Sequence, residues 1–306
     1  MTAGLLMGLR VRGETPEELA GAVHALRDAM IPLPSTDPST LVDTCGTGGG
    51  VITTFNISTA AAFVAAAAGV RVAKHGNRSY TSRCGSADVL EALGVPLEAS
   101  IDAMASVLDQ AGIVFMFAPR MHPAMRHVGP VRRDLGVPTI MNLVGPLANP
   151  ARATRQVIGV GDPDRLSLVA QAARALGFSR ALVVHGDPGL DEISPLGPTT
   201  VHELRDGELR EWEIRPGTYG LAPGALEHLA CGDPAENARI IREVLRGCGP
   251  EGARTAVALN AAAAIYVAGI EQSYGDAVAR SITTLDGGAG LAALDRMIAA
   301  YGTAIP

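Results

Sequence analysis

Apolar residues recur along much of the chain at the three- and four-residue spacing of an amphipathic helix. The clearest case is 16–30, where Thr15 serves as the N-cap and Pro16 as the first helical residue. Further helices are predicted over 3–12, 98–111, 122–135, 163–176, 234–246, 251–269 and 273–300, the last with a break at Gly287-Gly288.

Short apolar runs between these helices predict strands. Residues 41–94 are typical of strand, loop, helix, strand, loop and helix, and residues 155–185 of a right-handed βαβ unit. Asp206-Gly207 predicts a β-hairpin between the runs at 200–204 and 209–214. A further strand is predicted at 138–144. The alternation indicates an α/β fold with a mostly parallel sheet flanked by helices.

The helical pieces lie in two separate parts of the chain. With 306 residues the chain is near the upper limit for one hydrophobic core, which favours one large domain or a large and a small one. We expect residues 1–36 and about 96–137 to form a small all-helical domain. Residues 37–95 and about 138–306 would form a large α/β domain, and the cleft between the two is the natural ligand site.

The composition is ordinary for a globular protein, but aromatic residues make up only 4% of it, so alanine fills much of the core. The net charge of −6 argues against a broad nucleic-acid-binding surface. Any phosphate site must therefore be a local positive pocket.

Cysteine usage and apolar segments bear on the compartment. No CxxC pair and no histidine cluster with zinc spacing occurs, which indicates free thiols in a reducing compartment. The first residues lack the pattern of a signal peptide. The apolar stretches at 59–70 and 256–270 are shorter than the roughly 20 residues of a spanning helix. We expect a cytoplasmic protein without a membrane partner. The cysteines are Cys45, Cys84, Cys231 and Cys248.

A glycine-rich loop follows the first predicted strand and leads through Asn56 into an alanine-rich helix. Glycine lets the backbone approach a ligand closely, and Ser58 or Thr59 can cap the helix, whose free N–H groups favour an anion. A tight turn without a ligand is the alternative, because the loop lacks both the Walker lysine and the GxGxxG pattern. The loop glycines are Gly46, Gly48, Gly49 and Gly50.

Polar residues also follow two later strands. Lys74-His75-Gly76-Asn77-Arg78 comes directly after the run at Val70–Ala73, and Asp191-Glu192 comes after the strand at Ala181–His185. Each set can simply be solvated. Because neighbouring parallel strands bring their carboxyl ends to one edge, we expect these loops to converge. Two carboxylates beside a diphosphate are suitable ligands for Mg²⁺.

The predicted helix at 122–135 carries Arg132 and Arg133. One of them is expected to face solvent, and the other can bind a substrate carboxylate with two hydrogen bonds. His75, His122 and His127 are candidates for proton transfer, although a lone histidine is more often only a hydrogen-bonding residue. No Ser-His-Asp order or nucleophile elbow is present, and nothing in the sequence lowers the pKa of a cysteine thiol.

Taken together, these motifs resemble the anthranilate phosphoribosyltransferases, a family of nucleoside phosphorylase-like phosphoribosyltransferases. The resemblance covers nearly the whole chain in order. It rests on the segments LLMGLRVRGETPEELAGA, GTGG, FNIST, AKHGNRS, GSADVLEALG, FAPRMHPAMRHVGPVRRDLGVPTIMNLVGPLANPA, the DE pair and LNAAAAIYVAG.

The resemblance implies a small helical domain packed on a large α/β domain, a homodimer, and Mg²⁺. It implies transfer of the phosphoribosyl group of phosphoribosyl pyrophosphate (PRPP) to the amine of anthranilate in tryptophan biosynthesis. The acceptor amine is neutral and already nucleophilic, so catalysis would consist of positioning and electrostatics. The catalytic residues would be Lys74, His75 and Arg132. Carried over by motif, PRPP would be bound by Gly46, Thr47, Gly48, Gly49, Asn56, Ser58, Thr59 and Lys74, the metal by Ser58, Asp191 and Glu192, and anthranilate by His75, Asn77 and Arg132.

Two departures from the family pattern stand out. Gly50-Val51 occupies the place of the usual Asp-Gly after GTGG, so a carboxylate near the diphosphate is missing. Only four residues precede Leu5, whereas the family has further helical sequence there. We expect either a start further upstream or a shortened paralogue.

Three alternatives stay open at this stage. A PRPP-dependent transferase of the same fold can act on a different aromatic acid. A pyrimidine nucleoside phosphorylase shares the architecture, but it is expected to lack the HGNR and FNIST combination. A non-catalytic nucleic-acid-binding paralogue needs a basic groove, against which the net charge argues.

Overall fold

A single mixed sheet forms the centre of the molecule in a computed structural model, which describes residues 1–79 and 83–304. In that part of the chain the strands are β1 (Leu41–Asp43), β2 (Arg71–Gly76), β3 (Ile113–Phe117), β4 (Arg155–Gly159), β5 (Arg180–Gly186), β6 (Thr199–Arg205) and β7 (Glu208–Ile214). Their order across the sheet is β3-β2-β1-β4-β5-β6-β7. The first five are parallel, and β6 and β7 are antiparallel. The predicted fold class is therefore confirmed.

Helices cover both faces of this sheet. Among the described residues they are α1 (Thr2–Arg12), α2 (Pro16–Asp28), α3 (Ile57–Ala67), α4 (Ser86–Ala92), α5 (Ile101–Ala111), α6 (Ala118–Met121), α7 (Met125–Leu135), α8 (Met141–Leu147), α9 (Leu166–Ala175), α10 (Pro234–Leu245), α11 (Glu251–Ala268), α12 (Tyr274–Asp286) and α13 (Ala289–Ala304). None of them is long and apolar enough to cross a membrane.

Alanine builds the larger of the two cores. Helices α3 and α11 pack together and against α12 and α13 on one face of the sheet, and half of the residues that α3 and α11 bury are alanines. Small side chains let these helices approach each other closely, which is why so few aromatic residues suffice. On the other face α2, α8 and α9 form the second core, and α1 packs against α7.

Several local predictions are confirmed. Asp206 and Gly207 have φ angles of 53° and 82° and join β6 to β7 through a two-residue loop. The break at Gly287-Gly288 separates α12 from α13. The predicted βαβ unit is present as β4, α9 and β5, with parallel strands.

The strand predicted at 138–144 is wrong, because this segment enters α8. The Oδ1 atom of Asn142 accepts a hydrogen bond from the backbone N–H of Thr139 at 3.1 Å. The N–H groups of Asn142 and Leu143 donate to the carbonyls of Thr139 and Ile140, which closes the first turn. A short apolar run does not distinguish a strand from a buried helix, and here the polar cap decides. The predicted helix 122–135 is likewise divided, since α7 begins only after His122-Pro123.

The division into two domains stays a prediction. Within it, the segment 101–117 belongs on the sheet, because β3 pairs with β2 and α5 packs against β3 and α13. We therefore assign this segment to the α/β domain. The helical layer then consists of α1, α2, α7 and α8, with α6 at its border.

Candidate active site

The carboxyl ends of β1, β2, β4 and β5 lie side by side, because these four parallel strands are neighbours or near neighbours in the sheet. The polar segments described above lie at the ends of β1, β2 and β5. The sheet therefore brings the glycine loop, the segment after Lys74 and the Asp191-Glu192 pair to one edge.

The glycine loop lies against the end of β4. The backbone N–H of Thr47 donates to the carbonyl of Gly159 at 2.8 Å, and the Thr47 hydroxyl accepts from the N–H of Gly161 at 3.1 Å. Gly48 and Gly49 have φ angles of 69° and 80°, which favour glycine over other residues. The loop is thereby held open with its backbone close to the carboxylate pair.

Asp191 and Glu192 border a cavity of about 10 Å³, about the space of one water molecule or ion. The backbone N–H of Ser58 donates to Oε1 of Glu192 at 3.2 Å, so the loops at 58 and 192 meet. Burial and, as a smaller cause, the adjacent Asp191 raise the pKa of Glu192 to about 8, although Lys74 opposes the shift. Burial also raises the pKa of Asp191. Two partly buried carboxylates that resist ionisation together fit a site for a cation.

Lys74 provides the positive charge at this edge. Its Nζ donates to the Thr44 carbonyl and hydroxyl, both at 3.1 Å, and to the Ser58 hydroxyl at 3.3 Å. Asp43 lies below it, fully buried, and its carboxylate accepts from Asn149 Nδ2 at 2.7 Å. Burial raises the pKa of Asp43 to about 6, although Lys74 and these hydrogen bonds favour the ionised form. Three hydrogen bonds therefore hold the Lys74 ammonium at this edge of the sheet.

His75 and His122 form an uncharged surface beside this cationic site. Both are buried, and their rings contact edge to face with centroids 4.9 Å apart. Burial lowers the pKa of His75 to about 3 and that of His122 to about 4, and the His122 ring adds to the shift at His75. At neutral pH the pair presents two neutral aromatic rings, which suits a flat aromatic ligand.

Replacing His122 with glutamine is expected to reduce the loss in free energy of unfolding that occurs as the pH falls below neutral. Between pH 6.5 and about 4 only the unfolded state takes up a proton at this residue, so stability falls as the pH drops through that window and is retained in full above it. The change corresponds to about 2–3 kcal/mol at pH 4.5. Urea unfolding at pH 7 and pH 4.5 measures it. The control is His24→Gln on the exposed face of α2, and an equal acid loss in the two variants would contradict the prediction.

The other cations divide into two groups. The guanidinium of Arg78 binds Asp88 at 2.8 Å and Glu91 at 2.9 Å on α4. Its charge is therefore neutralised by α4, whereas the sequence predicted that it would lie near the glycine loop. Arg132 lies on α7 in the helical layer and is half-buried, whereas Arg133 beside it is exposed. The carbonyl of Asn77 accepts from Ala87 N–H, which ties the loop after β2 to α4.

The expected capping of α3 by Ser58 or Thr59 is wrong. Helix α3 begins at Ile57 with Asn56 as N-cap, and the Asn56 side chain makes no capping hydrogen bond. Its amide is instead bonded elsewhere, as Nδ2 donates to the Cys84 carbonyl at 3.1 Å. Ser58 and Thr59 therefore lie in the first turn, where the N–H of Ser58 meets Glu192.

Three buried asparagines hold these loops, and the sequence pattern pointed to none of them. Asn149 bonds Asp43 and the Ala73 carbonyl, and Asn260 bonds both the N–H and the carbonyl of Ile193, next to Glu192. The third, Asn237, bonds Asn56. A signal was present for Asn149 and Asn260, since each lies within an otherwise apolar or alanine-rich segment, where a buried amide needs a partner.

Two family models match the chain. "Glycosyl transferase family, helical bundle domain" matches residues 1–30, and "Glycosyl transferase family, a/b domain" matches residues 38–291. The anthranilate phosphoribosyltransferase of Rubrobacter xylanophilus is 50% identical over 297 residues, covering 97% of this chain and 86% of the relative. That of Stenotrophomonas maltophilia is also 50% identical, over 94% of this chain and 84% of the relative.

Solved structures agree with the sequence relatives. The crystal structure of the anthranilate phosphoribosyltransferase from Thermus thermophilus matches with a TM-score of 0.92 and 45% identity, over 98% of this chain and 89% of that one. The Saccharomyces cerevisiae enzyme, solved in complex with PRPP and Mg, matches with a TM-score of 0.88 and 29% identity, over 98% and 85% of the two chains.

Proposed function

Because the chain belongs to the anthranilate phosphoribosyltransferase family, we propose that it transfers the phosphoribosyl group of PRPP to the amino group of anthranilate and releases pyrophosphate. The observation that carries the proposal is the meeting of Ser58, Glu192 and Lys74 at one edge of the sheet. These residues come from three separate elements, the first turn of α3, the loop after β5 and strand β2. Together they offer the donors and acceptors that a sugar diphosphate and its metal require.

PRPP would lie along the glycine loop. The glycine backbone allows a ligand to approach closely, the N-terminal end of α3 favours negative charge through the helix dipole, and Lys74 adds a positive charge at the same place. Ser58, Asp191 and Glu192 would hold Mg²⁺. When bound there, Mg²⁺ neutralises charge on the leaving diphosphate. In the described residues no group of three or more His, Cys, Asp or Glu side chains forms a closed metal site, which fits an ion completed by substrate oxygens.

Anthranilate would lie on the other side of the ribose. His75 and His122 offer neutral aromatic rings, Asn77 an amide, and Arg132 a guanidinium for the carboxylate. The amine attacks C1 of the ribose as pyrophosphate leaves, and it needs no strong base because it is neutral. The protein's contribution is to position both substrates and to exclude water from the activated sugar.

The decisive experiment is a product assay with purified protein, PRPP, Mg²⁺ and a panel of aromatic acids and amines. Formation of phosphoribosyl anthranilate and pyrophosphate in equal amounts is the expected result. Turnover of another aromatic acid at a much higher kcat/KM would keep the transferase chemistry but replace the acceptor. Absence of pyrophosphate release with every acceptor would overturn the proposal.

Gly50 stands where the family pattern has an aspartate, and the structure shows close neighbours around it. A Cβ atom on Gly50 would lie 2.8 Å from the Gly189 carbonyl and 3.3 Å from Oδ1 of Asp191. The N–H of Val51 also donates to the Gly189 carbonyl at 2.8 Å. The loop before Asp191 thus closes on the glycine loop where the family pattern has an aspartate. We propose that two carboxylates, not three, serve the metal here.

Replacing Arg132 by alanine is expected to raise KM for anthranilate by about 10- to 100-fold, since a two-bond carboxylate contact contributes about 1.5–3 kcal/mol. KM for PRPP should change far less. Steady-state kinetics with each substrate varied in turn measures the difference. Arg133→Ala, on the exposed neighbour, is the matched control and should match the unsubstituted protein. An equal loss for both substrates in the Arg132 variant would count against its role.

We also propose a homodimer that forms through α1. Leu5 is 62% exposed and Val11 81% exposed, and Cβ atoms added to Gly4 and Gly8 would meet nothing within 4 Å. An apolar helix face with small residues suits a second copy of the chain. Sedimentation should give twice the 31.4 kDa of one chain, and Leu5→Asp should halve that mass. Leu226→Asp, at another exposed leucine, is the control, and a wild-type monomer would contradict the proposal.

We place the protein in the cytoplasm. All four cysteines are free in the structure. Free thiols persist in reducing compartments.

A further inference from the structure

Asn56 is bonded on two sides, and one bond comes from a distant part of the chain. Its Nδ2 donates to the Cys84 carbonyl at 3.1 Å, and its Oδ1 accepts from Nδ2 of Asn237 at 3.0 Å. Asn237 lies on α10, 181 residues further along the chain, and is fully buried. A buried amide that points at a site residue calls for an explanation beyond packing.

Asn237 is itself fixed in one orientation. Its Oδ1 accepts from the N–H of Gly232 at 2.8 Å, and its backbone N–H donates to the carbonyl of Asp233, the N-cap of α10. Only the NH₂ end of the Asn237 amide is therefore directed at Asn56. Because the two ends of an amide differ, this contact also sets which end of the Asn56 amide faces α10.

Asn56 stands at the start of α3, so its orientation matters for the site. The carbonyl of Asn56 accepts from the N–H groups of Thr59 and Ala60, both at 3.1 Å. Two residues after Asn56, Ser58 meets Glu192 and Lys74. A rotation of Asn56 would move the first turn of α3, which carries Ser58 and its contacts with Glu192 and Lys74 beside the proposed diphosphate site.

We propose that Asn237 is a positioning residue for the PRPP site. It fixes the Asn56 amide with the oxygen toward α10 and the NH₂ group toward Cys84, and it thereby connects α10, α3 and the loop before α4. The first turn of α3 is kept in register with Glu192 and Lys74. This inference rests on the proposed function, because it names PRPP as the ligand whose site is held.

The test is Asn237→Asp, with Asn237→Ala as the second variant. Aspartate keeps the shape and the bond from Gly232, but it presents an oxygen to Oδ1 of Asn56. We expect KM for PRPP and the calorimetric Kd of PRPP with Mg²⁺ each to rise by about 10-fold or more, as a lost and inverted hydrogen bond requires. KM for anthranilate should change by less than about 3-fold. If the aspartate variant does not fold, the alanine variant, which lacks a buried charge, carries the test.

Ile241→Val is the matched control. Ile241 is buried one turn further along α10, so the change loosens the same helix without touching Asn56. Its melting temperature should fall while the Kd of PRPP stays unchanged. Should the Asn237 variants bind PRPP as tightly as Ile241→Val, or lose affinity for both substrates equally, the positioning role is overturned. A wild-type protein that does not bind PRPP overturns the proposed function and this inference with it.

Discussion

Replacing Asp191 with asparagine and Glu192 with glutamine together is expected to lower Mg²⁺-dependent kcat/KM by about 1,000-fold or more while the chain stays folded. By neutralising charge on the leaving diphosphate, Mg²⁺ lowers the activation barrier by several kcal/mol. A loss of about 4 kcal/mol corresponds to a decrease in rate of about three powers of ten. The amides keep the shape of both side chains, so the backbone hydrogen bonds of this loop can remain.

The fold should not suffer from this change. Burial raises the pKa of both carboxyls in the metal-free protein, and the charge of Asp191 also raises that of Glu192, so the neutral amides remove an unfavourable pair of charges. The melting temperature without Mg²⁺ is therefore expected to stay the same or rise. In the unsubstituted protein added Mg²⁺ and PRPP should raise it, and in the double variant they should not.

Glu208→Gln with Glu211→Gln is the matched control, since it removes the same charge from two exposed residues of β7. Product release measured across a Mg²⁺ titration distinguishes the two double variants. Activity of the Asp191/Glu192 variant within about 10-fold of the unsubstituted protein would remove the metal from this pair.

The convergence of the three loops was predictable from the sequence, because it depends on strand polarity alone. Once the segments before Gly46, Lys74 and Asp191 are recognised as parallel strands, their following loops must meet at one edge of the sheet. The structure shows this for Ser58 and Glu192. The hairpin at Asp206-Gly207 was predictable for a similar reason, since those two residues favour the positive φ angles that the turn requires.

The residues that hold the loops were not predictable in the same way. Asn149, Asn237 and Asn260 act across 67 to 181 residues, and no local pattern encodes such a distance. The strand prediction for 138–144 was wrong for another reason, because an apolar run fits a strand and a buried helix equally well. Tertiary hydrogen bonds decided these cases, and they are visible only after the chain has folded.

Close backbone approach is a further feature that the sequence conceals. Gly159 is the last residue of β4, and its φ angle is not positive, so an alanine there would look harmless. A Cβ atom at this position would nevertheless lie 1.7 Å from the carbonyl oxygen of Asp191. Because Gly159 has no side chain, the loop at Asp191-Glu192 can lie directly against the end of β4.

Alanine at Gly159 is therefore expected to push the loop at Asp191 outward by about 1 Å or more and to lower kcat/KM by about 100-fold, the usual effect of a misplacement of that size. Overpacking should also reduce stability by about 1–3 kcal/mol. Steady-state kinetics with urea unfolding on the same preparations separates the two effects.

Two control variants separate the effect of close backbone approach from that of an ordinary substitution. Gly21→Ala, in open space on α2, should keep full activity and gain about 0.5–1 kcal/mol. Ile158→Val, at the buried neighbouring residue, should lose about 0.5–1.5 kcal/mol of stability but keep its activity. If the Gly159 variant loses no more activity than Ile158→Val, the strand end does not position the carboxylates, and the hydrogen bonds with Asn260 and Ser58 hold the loop at Asp191-Glu192.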